Sequence, residues 1–120
     1  MIVAGFGFRS GATVDSLADA YKRARLGQDA VVLATVEDKL PLLQGLAGRM
    51  QRPVIGVSDR FMIMQDTPTR SEAALSARGV GSVAEAAALA AAGPGARLVS
   101  TRVISEDGQA TCAFAIGEDE

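Results

Sequence analysis

Apolar positions follow two rhythms along this chain. Residues 2–8 form a short, β-favouring run ending in glycines, which predicts a buried first strand. From Thr13 the spacing changes. Val14, Leu17, Ala18, Tyr21 and Ala24 recur at helical intervals, with Asp15, Asp19, Lys22 and Arg23 on the other face and Gly27 as a stop. Residues 30–36 predict a second strand. Asp38 can cap a following helix that carries Leu40, Leu43, Leu46, Ala47 and Met50, with Pro41 tolerated in its first turn. Residues 53–57 predict a third strand.

The second half has a different texture. Phe61-Met62-Ile63-Met64 reads as an apolar connector into a turn over residues 65–68. Thr69-Arg70-Ser71-Glu72 and Ser82-Val83-Ala84-Glu85 both match a capping box, and they predict alanine-rich helices over 71–78 and 83–92. Gly93-Pro94-Gly95 ends the second helix. Residues 98–105 and 111–116 predict a β-hairpin turning at Asp107-Gly108. Strand–helix units followed by a hairpin predict a three-layer α/β/α domain. Its sheet is mixed and mostly parallel, with the hairpin as an antiparallel edge. One domain is expected over residues 1–117, with a frayed acidic tail over 118–120.

Composition narrows the chemistry. The chain has 120 residues, 48% apolar and 22% charged, the balance of a folded domain. It has no His, which excludes imidazole catalysis and imidazole metal ligation. One Cys excludes a disulfide framework. With no Trp, one Tyr, four Phe and a net charge of −2, a nucleic-acid partner is not expected. The N-terminus lacks a basic n-region and no apolar run reaches spanning length, so neither a signal peptide nor a membrane partner is expected. The expected location is the cytoplasm. All basic residues but Lys22 and Lys39 are Arg, whose guanidinium fork suits carboxylates and phosphates.

In sheets of this kind ligands bind beyond the carboxyl ends of the strands. The loop after the first strand offers Gly5, Gly7, Arg9, Ser10 and Gly11 just before a helix N-terminus, where free amides and the helix dipole favour an anion. The alternative is a tight turn capped by Thr13. The loop is neither a dinucleotide fingerprint nor a P-loop. The second loop adds Thr35 and Lys39 and the third adds Ser58 and Arg60, with Arg70 and Ser71 nearby. Cations converging from separate loops would suit a polycarboxylate, whereas each taken singly reads rather as a solvated loop charge. Glu37, Asp38 and Asp59 are candidates for a general base or a Mg²⁺ site. Cys112 alternates with Phe114 and Ile116 and reads as a buried small apolar residue. Met62-Ile63-Met64 reads as core, with an apolar wall beside a flat ligand as the alternative.

The stretches Val3-Ala4-Gly5-Phe6-Gly7-Phe8-Arg9-Ser10-Gly11, Leu33-Ala34-Thr35 to Lys39, and Gly79-Val80-Gly81-Ser82-Val83-Ala84-Glu85-Ala86-Ala87-Ala88-Leu89 resemble, in this order, the CobE family. That family is equivalent to the C-terminal domain of CbiG of cobalamin (vitamin B12) biosynthesis. The resemblance spans nearly the whole chain. One departure is Arg102, where the family commonly has Lys: the charge is kept but a neutral amine is not. The resemblance implies a corrinoid or precorrin ligand, a flat macrocycle rimmed by carboxylates, with no cofactor of the protein's own. It implies a carrier or chaperone of that ligand, and the loop reading is compatible with it: Gly5, Gly7, Arg9, Ser10, Gly11, Thr35, Lys39, Ser58, Arg60, Arg70 and Ser71 would hold the rim. The alternative it implies is a hydrolase opening a precorrin-5A lactone with loss of acetaldehyde, with Glu37, Asp38 or Asp59 as base. Other enzymes of the pathway are possible partners, the alanine-rich helices offering a contact surface.

Overall fold

A computed structural model describes residues 1–118 of the chain. The acidic tail expected over 118–120 lies, beyond Glu118, outside the described residues. The first half alternates as the periodicity predicts: β1 (Ile2–Phe8), α1 (Val14–Ala24), β2 (Val32–Val36), a single 3₁₀ turn over Glu37–Lys39, α2 (Leu40–Met50) and β3 (Val54–Val57). Then come the one-turn helix α3 (Asp59–Met62), α4 (Glu72–Arg78), α5 (Val83–Ala92), two-residue strands β4 (Arg97–Leu98) and β5 (Val103–Ile104), and β6 (Ala110–Ile116).

The strands form one six-stranded sheet in the order β3-β2-β1-β6-β4, with β5 also paired to β6. β1, β2 and β3 are parallel, and β6 runs antiparallel to β1, β4 and β5, so five of the six strands point the same way. The hairpin was expected at the sheet edge. Instead its second strand lies beside β1, in register from Ile2↔Ile116 to Phe8↔Ala110. The reason is in its side chains, which are buried on both faces. Cys112 and Phe114 pack with α1 and α2, while Ala115 packs under α5. A strand covered on both sides belongs in the interior of a sheet.

On one face Leu17, Ala20 and Tyr21 of α1 and Leu43 and Leu46 of α2 close over Phe6, Leu33 and Phe114. The Tyr21 ring stacks on Phe6 with centroids 6.4 Å apart and tilts onto Phe114 at 5.2 Å. On the other face α5 alone lies across β1, β2 and β6. It can do so because both surfaces are small. A Cβ on Gly5 would run into the Ala84 carbonyl oxygen and the Ala88 amide, so only glycine lets the helix sit this close. Val3, Ala34, Val36, Val57 and Met62 fill the space beside Ala86 and Ala87.

Several local expectations change in the fold. Asp38 does not cap α2: it sits in the 3₁₀ turn, and the helix N-cap, Lys39, makes no side-chain cap bond. The cap of α4 is Ser71, which accepts from the Ala74 amide, rather than Thr69. Ser82 caps α5 as expected, but the Glu85 carboxylate does not close the box. It is wholly buried and accepts from the Thr69 amide (3.0 Å), the Thr69 hydroxyl (2.7 Å) and the Arg102 amide (2.8 Å). That last bond is also why the strand expected over 98–105 breaks into β4 and β5: the Arg102 amide serves Glu85 instead of the ladder. The 61–64 connector is half α3. Met62 is buried, whereas Phe61, Ile63 and Met64 are exposed.

Candidate functional site

The carboxyl ends of β1 and β2 open beneath α4, and the turn before β6 stands beside them. Between these parts lies a cleft of about 400 Å³. Gly7, Phe8, Val36 and Val83 form much of its floor, Ala73, Ala74 and Ala77 of α4 one wall, and Ile104, Gln109 and Thr111 another. Its charged lining residues among the described ones are Arg9, Lys39, Arg78 and Arg102, with no described Asp or Glu in the lining. In a chain of net charge −2 this is a strong local asymmetry.

Each cation is placed by a different piece of the fold. Arg9 follows β1, and its amide donates to the Gln109 carbonyl (2.9 Å), which ties the first loop to the turn before β6. Lys39 reaches back from the end of the 3₁₀ turn, donating from Nζ to the Phe8 carbonyl (3.3 Å), with Nζ 5.3 Å from the centre of the Phe8 ring. Arg102 is set by the bond of its amide to buried Glu85. Arg78 ends α4 and is held most firmly, donating to Asp38 (2.7 Å) and Asp59 (3.2 Å) with its side chain only 18% exposed. The hydrogen bond from Arg78 lowers the Asp38 pKa below the ordinary 3.8, and Asp38 in turn raises that of Arg78. Thr35 is wholly buried and its hydroxyl donates to the Phe6 carbonyl (2.8 Å), pinning the ends of β1 and β2 together at the cleft.

The family model described as cobalamin synthesis G C-terminus matches residues 2–115. The chain belongs to this family. It is a CobE/CbiG C-terminal-type protein of cobalamin biosynthesis. CobE, a protein from the cobalamin (vitamin B12) biosynthetic pathway, is similar at 30% identity and a TM-score of 0.85, over 96% of this chain and 89% of CobE. The cobalamin biosynthesis protein chiG from Agrobacterium tumefaciens str. C58 is similar at 32% identity and a TM-score of 0.76, over 99% of this chain and all 100% of that one. A cobalamin biosynthesis protein G homolog from Sulfolobus solfataricus shares the fold at 21% identity and a TM-score of 0.70, over 95% of this chain and 36% of its own. No curated protein matches the chain.

Of the site residues expected in this CobE-type chain, Gly7, Arg9, Thr35, Lys39 and Ser71 line the cleft. The others go elsewhere. Gly5 is buried under α5. Ser10, Gly11 and Arg70 are exposed and line neither the cleft nor the groove described below. Arg60 stands over the Phe61 ring at 5.7 Å. Ser58 and Glu37 line a second, more apolar groove of about 670 Å³ between β3, α3 and the C-terminal half of α5, which Phe61 and Met64 also border. Asp38 and Asp59 do meet, but across the Arg78 guanidinium. No group of three or more His, Cys, Asp or Glu among the described residues is arranged to hold a metal ion.

The anion site expected at the start of α1 is taken by the protein itself. Thr13 and Ser16 cap the helix reciprocally, and the Ser16 hydroxyl donates to Asp107 (2.6 Å). Hydrogen bonds from Ser105, Ser16 and the Gln109 amide lower the Asp107 pKa, keeping a carboxylate at that helix end. Cys112 is fully buried, and burial pushes its thiol pKa well up, as befits a core residue. Sequence reasoning missed Arg78 and Gln109 at the cleft, and it met Arg102 only as a family departure. Arg78 was invisible because an Arg at the end of an alanine-rich helix has the pattern of a solvated charge. Gln109 was missed because its place follows from β6 pairing with β1.

Proposed function

We propose that this protein binds a corrinoid or precorrin intermediate of cobalamin biosynthesis by its carboxylate rim and acts as a carrier. The observation that carries the reading is the cleft lined by four cations, no carboxylate and an apolar floor. Guanidinium and ammonium groups arrayed around an apolar surface suit a flat ring edged with acetate and propionate groups. Family membership supplies the pathway. Gly7 lets Thr111 and Val83 close over the end of β1, since a Cβ there would press on both.

The carrier reading is favoured over lactone hydrolysis by the state of the carboxylates. A general base needs a free, basic carboxylate within reach of the ligand. Asp38 and Asp59 are committed to Arg78, with the Asp38 pKa lowered, and Glu37 faces the other groove.

Absorbance titration with metal-free hydrogenobyrinic acid tests the proposal. Saturable binding of an unaltered chromophore, weakened by raising the salt concentration, is expected because the contacts are ionic. Lys39→Gln and Arg102→Gln are each expected to weaken it about ten-fold, the scale of one charge-assisted hydrogen bond. Absence of saturable binding at low salt would overturn the reading. Release of acetaldehyde on incubation with a lactone-bearing precorrin-5A would move it to the hydrolase.

A further inference from the structure

Residues 71–81 form a loop with a closed neck. The Ser71 amide donates to the Gly81 carbonyl (2.7 Å), so α4 and its flanks leave the body and return at one point. Such Ω-type loops are packed mainly by their own side chains. The neck is fixed. Thr69 is bound to buried Glu85 through both amide and hydroxyl, and a Cβ on Gly81 would strike the Thr69 carbonyl oxygen.

The body of the loop is held differently. No residue of α4 is buried, and the wall it gives the cleft is made of alanines, which bury little apolar area. Its far end turns at Gly79, whose φ of +74° suits glycine and gives the helix a left-handed cap. The firm side-chain attachment of α4 to the rest of the fold is Arg78, reaching Asp38 from the 3₁₀ turn and Asp59 at the start of α3.

We propose that residues 72–79 are a lid on the cleft, hinged between the Ser71–Gly81 neck and buried Val80, which anchors the returning segment of the loop in the core, and that Arg78 is its latch, with Asp38 and Asp59 as the catch. The proposal rests on the corrinoid reading only for its purpose. The cleft, partly open to solvent, holds about 400 Å³, near the lower end of the ~300–1,000 Å³ range of small-molecule pockets, so it admits the edge of a carboxylate-rimmed macrocycle, and seating more of the ring calls for α4 to swing away. Arg78 is the one cation of the cleft already paired with protein carboxylates. An incoming carboxylate can therefore exchange with Asp38 and Asp59 for the same guanidinium, which releases the catch as the ligand arrives. The hinge and the latch are properties of the chain alone.

Amide hydrogen exchange on the ligand-free full chain tests them, comparing wild type with Arg78→Gln and with the double variant Asp38→Asn/Asp59→Asn. In both variants the amides of residues 75–79 are expected to exchange roughly three- to ten-fold faster, the scale of two partly exposed ion pairs. Amides of β1 and β6 should keep their wild-type rates. Unchanged exchange over 75–79 in either variant would overturn the lid. So would acceleration spread evenly through the sheet, which would make Arg78 a general stabiliser. Stopped-flow mixing with hydrogenobyrinic acid then tests purpose separately, since faster association is expected in Asp38→Asn/Asp59→Asn, which releases the catch and keeps the Arg78 guanidinium. Failure of the acid to bind any of the proteins would count against the corrinoid reading while leaving the exchange result to decide the lid.

Discussion

Tyr21 shows how one polar atom can lock a core. Its ring lies between Phe6 and Phe114, and its hydroxyl accepts from the buried Ala30 amide (2.9 Å) while donating to Asp29 (3.1 Å). The same burial raises the Tyr21 pKa, so the hydroxyl stays protonated and keeps its donor. Tyr21→Phe would retain the rings and leave the Ala30 N–H without its acceptor. A loss of about 1–2 kcal/mol is expected from chemical denaturation, and an unchanged midpoint would contradict that role. The sequence placed Tyr21 on the buried face of α1 by spacing alone. It could not show the hydroxyl's partners, which lie across the turn that starts β2. The same division runs through the cations: Arg9 and Lys39 were legible because they follow strands. Arg60 and Arg70 have equally suitable chemistry, yet neither lines the cleft.

Among the elements, α5 is organised around Glu85. Its carboxylate joins the stem of the 71–81 loop to the segment between β4 and β5, and both flank the cleft. Glu85→Gln would turn an amide NH₂ toward one of three donors. It is expected to cost about 1–3 kcal/mol and to loosen Thr69 and Arg102 together, read as a lower denaturation midpoint and faster exchange at both amides. A midpoint and exchange pattern matching wild type would show that the three bonds carry no weight. Nothing in the motif Ser82-Val83-Ala84-Glu85 announces this, because a capping-box glutamate and a buried tertiary acceptor have the same local pattern. Helices α1, α2, α4 and α5 were legible to within a residue or two, since their periodicity and caps are local, whereas the one-turn α3 was read as a connector. The 98–105 strand was not, since its break answers to a carboxylate in another helix.

Across the whole molecule, the alternation of strands and helices was enough to indicate a three-layer α/β fold, but it put the hairpin at the sheet edge, whereas β6 in fact lies inside the sheet. The unbroken run Cys112-Ala113-Phe114-Ala115-Ile116 carries the missing signal, for a strand without a polar face is an interior strand. Placing β6 beside β1 brings Gln109 and Thr111 to the ends of β1 and β2 and completes the cationic cleft. The second groove is larger and more apolar, but Glu37 and Gln65 supply no positive charge for a carboxylate rim. The most direct test of the account is an amide NMR titration of the ¹⁵N-labelled protein with hydrogenobyrinic acid. Shifts centred on Gly7, Arg9, Lys39, Arg78, Arg102 and Gln109 are predicted. Shifts centred instead on Val57, Phe61, Met64 and Ala90 would place the ligand in the apolar groove and contradict the cationic cleft as the binding site.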